Sequence, residues 1–119
     1  MTVTEHLREH FLMSRNVTPA EPLKLPSLRE SEWSPDFVRL MRNRLIQGAY
    51  RYGKIHDPAK PQYDRIKSAI QRLKEYEKTG NTEHLVDAAN LCLVEFEKSE
   101  RPEKHFNSTD DGQHVKIRN

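Results

Sequence analysis

The feature that most constrains the fold is a pair of helical apolar stripes flanking the short connection Lys78-Thr79-Gly80-Asn81. Before it, Ile66, Ala69, Ile70, Leu73 and Tyr76 recur at three- and four-residue intervals; after it come Leu85, Ala88, Ala89, Cys92, Leu93 and Phe96. Intervals of three and four residues put side chains on one face of a helix. A Gly between two such stripes marks a helix end where the chain turns back. The expectation is an antiparallel helical hairpin, with a first helix from about Gln62 to Lys78 and a second capped by Asn81 or Thr82. The fold class is therefore all-α: a small helical bundle built on this hairpin.

A further helix is expected over 34–52. Ser34 is placed to cap it, Pro35 suits the first helical position and Asp36 favours the positive end of the helix dipole. Its apolar positions are Phe37, Leu40, Met41, Leu45 and Ala49; Gly48 leaves room for a neighbouring backbone, and Gly53 is the stop. Upstream, Thr4 to Met13 reads as a short helix. The stretch from Asn16 to Trp33 carries Pro19, Pro22 and Pro26 and reads as an extended arm. Three segments follow: 1–33, a short helix and Pro-rich arm; 34–101, the helical core domain; and 102–119, a polar tail.

Of the 119 residues, 34% are hydrophobic and 32% charged, a lean supply for a compact monomer, so burial is expected to be completed by homo-oligomerisation. A net charge of +2, with no basic stripe interleaved with aromatics, does not make nucleic acid an expected partner. No apolar run has the length of a membrane span, and there is no signal-peptide pattern. The single cysteine, Cys92, lies in an apolar stripe and reads as a core residue of a cytoplasmic protein.

Two sets of polar residues carry candidate chemistry. Glu83 and Asp87 are four apart, one turn along the same helix face, with Asn90 continuing it. Two carboxylates suffice for a Mg²⁺ ion that also binds substrate phosphates, and Glu77 is a third candidate. At about 100° per residue this face points away from the apolar stripe, toward water or a subunit interface. The second set is cationic: Arg39, Arg42, Arg44 and Arg51, with Lys54 beyond, fit an anion surface, since guanidinium forks match phosphate oxygens. His6-Leu7-Arg8-Glu9-His10 matches the H-x-x-E-H zinc pattern, but a helix at a chain terminus supplies neither a third ligand nor a cleft. His105, Asp110, Asp111 and His114 form a weakly specific cation-binding set.

The run Gly48-Ala49-Tyr50-Arg51-Tyr52-Gly53, then Tyr63, Arg72-Leu73, Tyr76 and Gly80, and finally His84-Leu85, Ala88-Ala89-Asn90 and Glu95, resembles small phage proteins related to the dATP/dGTP diphosphohydrolase N-terminal domain. More distantly it is similar to MazG-like all-α nucleotide pyrophosphohydrolases. The resemblance implies an oligomeric helical bundle that binds Mg²⁺ through carboxylates and cleaves a nucleoside triphosphate to monophosphate and pyrophosphate. Glu83 and Asp87 would then be the catalytic metal ligands, with Glu77 a third ligand. The anion surface read from residue types, Arg42, Arg44, Arg51 and Lys54, together with Asn90, supplies the candidate substrate-binding residues. The leading reading is a nucleotide-binding protein that acts as a Mg²⁺-dependent nucleoside triphosphate pyrophosphohydrolase. Its alternatives are noncatalytic phage-encoded sequestration of a nucleotide signal and a plain protein-interaction domain.

Overall fold

The computed structural model describes residues 22–109, and the expected helix over Thr4–Met13 lies outside them. All regular structure among these residues is helical: α1 (Leu25–Ser31), α2 (Pro35–Tyr52), α3 (Arg65–Thr79) and α4 (Glu83–Lys98). None of these helices is long and apolar enough to cross a membrane. The chain divides into two units, Met1–Pro35 and Asp36–Asn119.

In the first unit, α1 corrects the expectation of an extended arm. Pro26 falls within the first helical turn, where its missing N–H has no partner to lose, and Lys24 caps the helix in an extended conformation. The amide of Leu28 closes that turn on the Lys24 carbonyl at 3.0 Å. A proline that forbids a helix interior thus begins one.

The second unit holds α2, α3 and α4. Helix α2 starts at Pro35, as its sequence signals predict, and ends before Gly53, whose φ of 93° is left-handed. Helix α3 starts three residues later than the sequence suggests, because the Asp64 side chain accepts the Lys67 amide at 3.0 Å. It ends at Gly80, where φ is 71° and the amide reaches the Tyr76 carbonyl at 2.8 Å. Asn81, rather than Thr82, satisfies the start of α4, its Oδ1 accepting the Glu83 amide at 3.1 Å.

Helices α3 and α4 pack against each other, and Arg65 at the start of α3 reaches Glu95 near the end of α4 at 2.9 Å. The buried residues are Ala69 on α3 and Val86, Ala88 and Asn90 on α4. Two expectations fail here. Cys92 is exposed, and Phe96 is 65% exposed, so neither is a core residue. Asn90, expected on the wet side of α4, is only 8% exposed, because α2 covers that face. On α3, Ile66, Ile70 and Leu73 keep nearly half of their surface in solvent.

Candidate functional site

The face of α4 that carries Glu83, Asp87 and Asn90 is where α2 attaches. Arg44 donates from Nε to Asp87 Oδ1 at 3.1 Å and from Nη2 to Oδ2 at 3.2 Å, while Nη2 also lies 2.9 Å from Glu83 Oε1. One guanidinium thus spans the two carboxylates set one turn apart. The hydrogen bond to Asp87 holds the Arg44 guanidinium above its ordinary pKa and outweighs partial desolvation; the charges of Asp87 and Glu83 add to it. One turn further along α4, Asn90 Nδ2 donates to the Met41 carbonyl of α2 at 3.0 Å. That bond fixes the amide orientation and leaves Asn90 Oδ1 buried without a partner among the described residues.

Beside this junction lies a cleft of about 390 Å³ whose charged lining is Arg44, Arg51, Lys60, Arg72 and Asp87, with the amides of Gln47 and Asn90 beside them. Helices α2, α3 and α4 and the loop after α2 each contribute. Asp87, the only acid among the described residues of the lining, is already engaged by Arg44. Arg51 and Arg72 are exposed and make no ion pair among the described residues, and Lys60 donates to the Gly53 carbonyl at 3.2 Å. The cleft is therefore cationic, with two unpaired guanidinium groups at its wall and an unmet acceptor in its lining.

Gly48 also lines the cleft, and a Cβ built there would meet nothing within 4 Å. Among the described residues no second backbone approaches Gly48, contrary to expectation, and the space in front of it opens on the cleft.

The structure gathers part of the sequence-derived set. Arg44, Arg51, Asp87 and Asn90 line the cleft, and Glu83 joins through Arg44. Arg42 and Lys54 are exposed and outside it; Glu77 is exposed on α3. Among the described residues no group of three or more His, Cys, Asp or Glu side chains is placed to hold a metal ion. Asp110, Asp111 and His114 lie outside those residues, and His105 turns its Nδ1 to the Glu103 carbonyl at 2.7 Å. Residue types alone assign no ligand role to Lys60 or to Arg72, which enters only through the run that carries the resemblance. Arg72 sits one residue before the apolar Leu73 and reads as the wet edge of a stripe. Lys60 is held between Pro58 and Pro61 in a loop without periodicity.

No known family model, curated protein or solved structure matches this chain.

Proposed function

We propose that this chain is a nucleotide-binding protein that holds the phosphates of its ligand in the cationic cleft and sequesters it without hydrolysis. One observation carries the reading: Arg44, Arg51, Lys60 and Arg72, drawn from two helices and a loop, line a single cleft whose one carboxylate is already neutralised. Unpaired guanidinium groups at a concave wall suit the charge and planar oxygen geometry of phosphates. The resemblance to small phage proteins with nucleotide ligands supports the same ligand class.

The hydrolytic alternative would place Mg²⁺ on Glu83, Asp87 and Glu77. Arg44 engages both oxygens of Asp87 and one of Glu83. A divalent ion there would compete with the Arg44 guanidinium for these carboxylates, which favours the sequestration reading.

Ile46, Ile66, Ile70 and Leu73, each between 46% and 56% exposed, favour completion of the small helical bundle by homo-oligomerisation. The expected setting is cytoplasmic.

The deciding experiment incubates the purified protein with Mg²⁺ and individual nucleoside triphosphates or cyclic nucleotides, followed by chromatography before and after heat denaturation. Sequestration predicts a nucleotide that leaves solution and returns intact, with retention lost in Arg51→Ala and Arg72→Ala. Release of monophosphate and pyrophosphate would instead establish the enzyme. Light scattering during size-exclusion chromatography reads the oligomeric state.

A further inference from the structure

The cationic cleft has an apolar neighbour. A second hollow of about 650 Å³ is lined by Tyr52, Ile55, Pro61, Tyr63, Leu91 and Val94, among others. Tyr52, Ile55, Lys60, Leu91 and Val94 belong to both hollows, so the two adjoin along a common wall. Their chemistry divides along that wall. Arg44, Arg51, Arg72 and Asn90 line the first hollow only, whereas Tyr63, Pro58 and Pro61, with the carboxylates Asp57 and Glu100, line the second only. The one arginine of the second hollow, Arg65, is held by Glu95 at 2.9 Å and by the Lys98 carbonyl, and so does not compete for a ligand anion. Tyr52 and Tyr63 stay more than half exposed, leaving ring surface open in a concave setting. Concave apolar surface with a few polar groups at one end is the usual form of a small-molecule site.

We infer that the apolar hollow takes the planar heterocycle of the ligand whose phosphates lie in the cationic cleft, with Tyr63 supplying an aromatic face. This assignment rests on the nucleotide reading above and adds to it a division of the ligand across the shared wall of Tyr52, Ile55 and Lys60. Charge complementarity sets the polarity: the phosphates go to the unpaired guanidinium groups, and the ring goes where no cation is free to hold an anion except Lys60 at the boundary and Lys98 at the rim. Aromatic faces accept any base, so Tyr63 contributes affinity for a ring in general.

Titration calorimetry on the full chain tests the division, with ATP, GTP, CTP and UTP as separate probes beside inorganic tripolyphosphate. Tyr63 lies outside the helices, so its replacement interrupts no helical ladder, and circular dichroism melts verify the fold of each variant. Tyr63→Leu is expected to weaken the best-bound nucleotide about tenfold while changing tripolyphosphate by less than about twofold, and Tyr63→Phe is expected to restore the nucleotide. Arg51→Ala is expected to weaken both classes of probe. Nucleotides that bind no more tightly than tripolyphosphate, or that are indifferent to Tyr63→Leu, would overturn the assignment and leave the phosphate cleft standing. Wild-type protein that binds none of the five probes would overturn the nucleotide reading and this assignment with it.

Discussion

Arg44 on α2 and Asp87 on α4 meet through a two-pronged hydrogen-bonded ion pair, Nε to Oδ1 at 3.1 Å and Nη2 to Oδ2 at 3.2 Å, across a separation of forty-three residues. The carboxylate is the more sheltered partner, with 15% of its side chain exposed against 39% for Arg44. Removing Arg44 therefore strands a largely buried charge. Arg44→Ala is expected to lower unfolding stability by about 1–2 kcal/mol, a figure already discounted for the solvent that reaches Arg44. Arg44→Lys should recover little of it, because a point charge cannot bridge both oxygens in this geometry. Urea midpoints of the three proteins decide the matter; a lysine variant matching the wild type would show that charge alone holds the junction.

Asn90 joins the same two helices one turn away. In Asn90→Ala the amide bond to the Met41 carbonyl disappears, at an expected cost of about 1 kcal/mol. The double variant with Arg44→Ala should depart from additivity, since both substitutions loosen α2 from α4. Chemical denaturation of the four-protein cycle reads the coupling, and strict additivity would mean that the two contacts act independently.

Gly48 separates stability from binding. It lies inside α2 with open space before it, so Gly48→Ala should raise stability by about 0.5–1 kcal/mol through reduced unfolded-chain freedom and better helix propensity. Gly48→Phe projects a ring into the cationic cleft and should abolish ligand binding in a folded protein. Thermal melts and calorimetry together check the pair; a destabilised alanine variant would show that the space is filled in solution.

Glu95 contributes to the acid sensitivity of the fold. The hydrogen bond from Arg65, then that from Ser99, holds its carboxyl below the ordinary value of 4.5, and the Arg65 and Arg101 charges contribute in the same direction. A depressed folded-state pKa means that the unfolded chain binds the proton first as pH falls. The stability supplied by the Arg65 pair is thus fully present above the unfolded carboxylate pKa and is lost as pH drops from about 4.5 through the lower folded value. Glu95→Gln should be less stable than the wild type at neutral pH and should show a shallower decline on acidification. Melting temperatures between neutral pH and pH 3 measure both, and parallel curves would remove Glu95 from the acid transition.

Much of the second unit is legible in its punctuation. Pro35, Gly53 and Gly80 announce helix ends through backbone conformations that few residues share, and the stripes on α3 and α4 announce contact between those helices. The sequence could not say which further helix covers α4. Periodicity assigns one apolar face per helix, so Asn90 reads as wet and Cys92 as buried; in the structure Asn90 is buried and bonded to the Met41 carbonyl of α2, and Cys92 is exposed. The acidic pair and the arginines were visible as separate sets, one for a metal and one for phosphate. Their meeting at Arg44 is a tertiary fact, and it changes what each can do. As ligand groups, Arg72 and Lys60 stayed hidden because a lone cation on a helix edge or in a Pro-bounded loop gives no periodic signal.

The segment after α2 closes on itself: the Lys60 ammonium reaches back to the Gly53 carbonyl, Asp57 accepts the Ala59 amide at 2.9 Å, and the Lys60 amide bonds to the Asp57 carbonyl at 3.1 Å. This segment walls both hollows. Its conformational entropy is surrendered when the chain folds rather than when a guest arrives. A ligand entering there would meet a wall already held by these bonds, and the expected association is limited by diffusion and charge rather than by ordering of a loop.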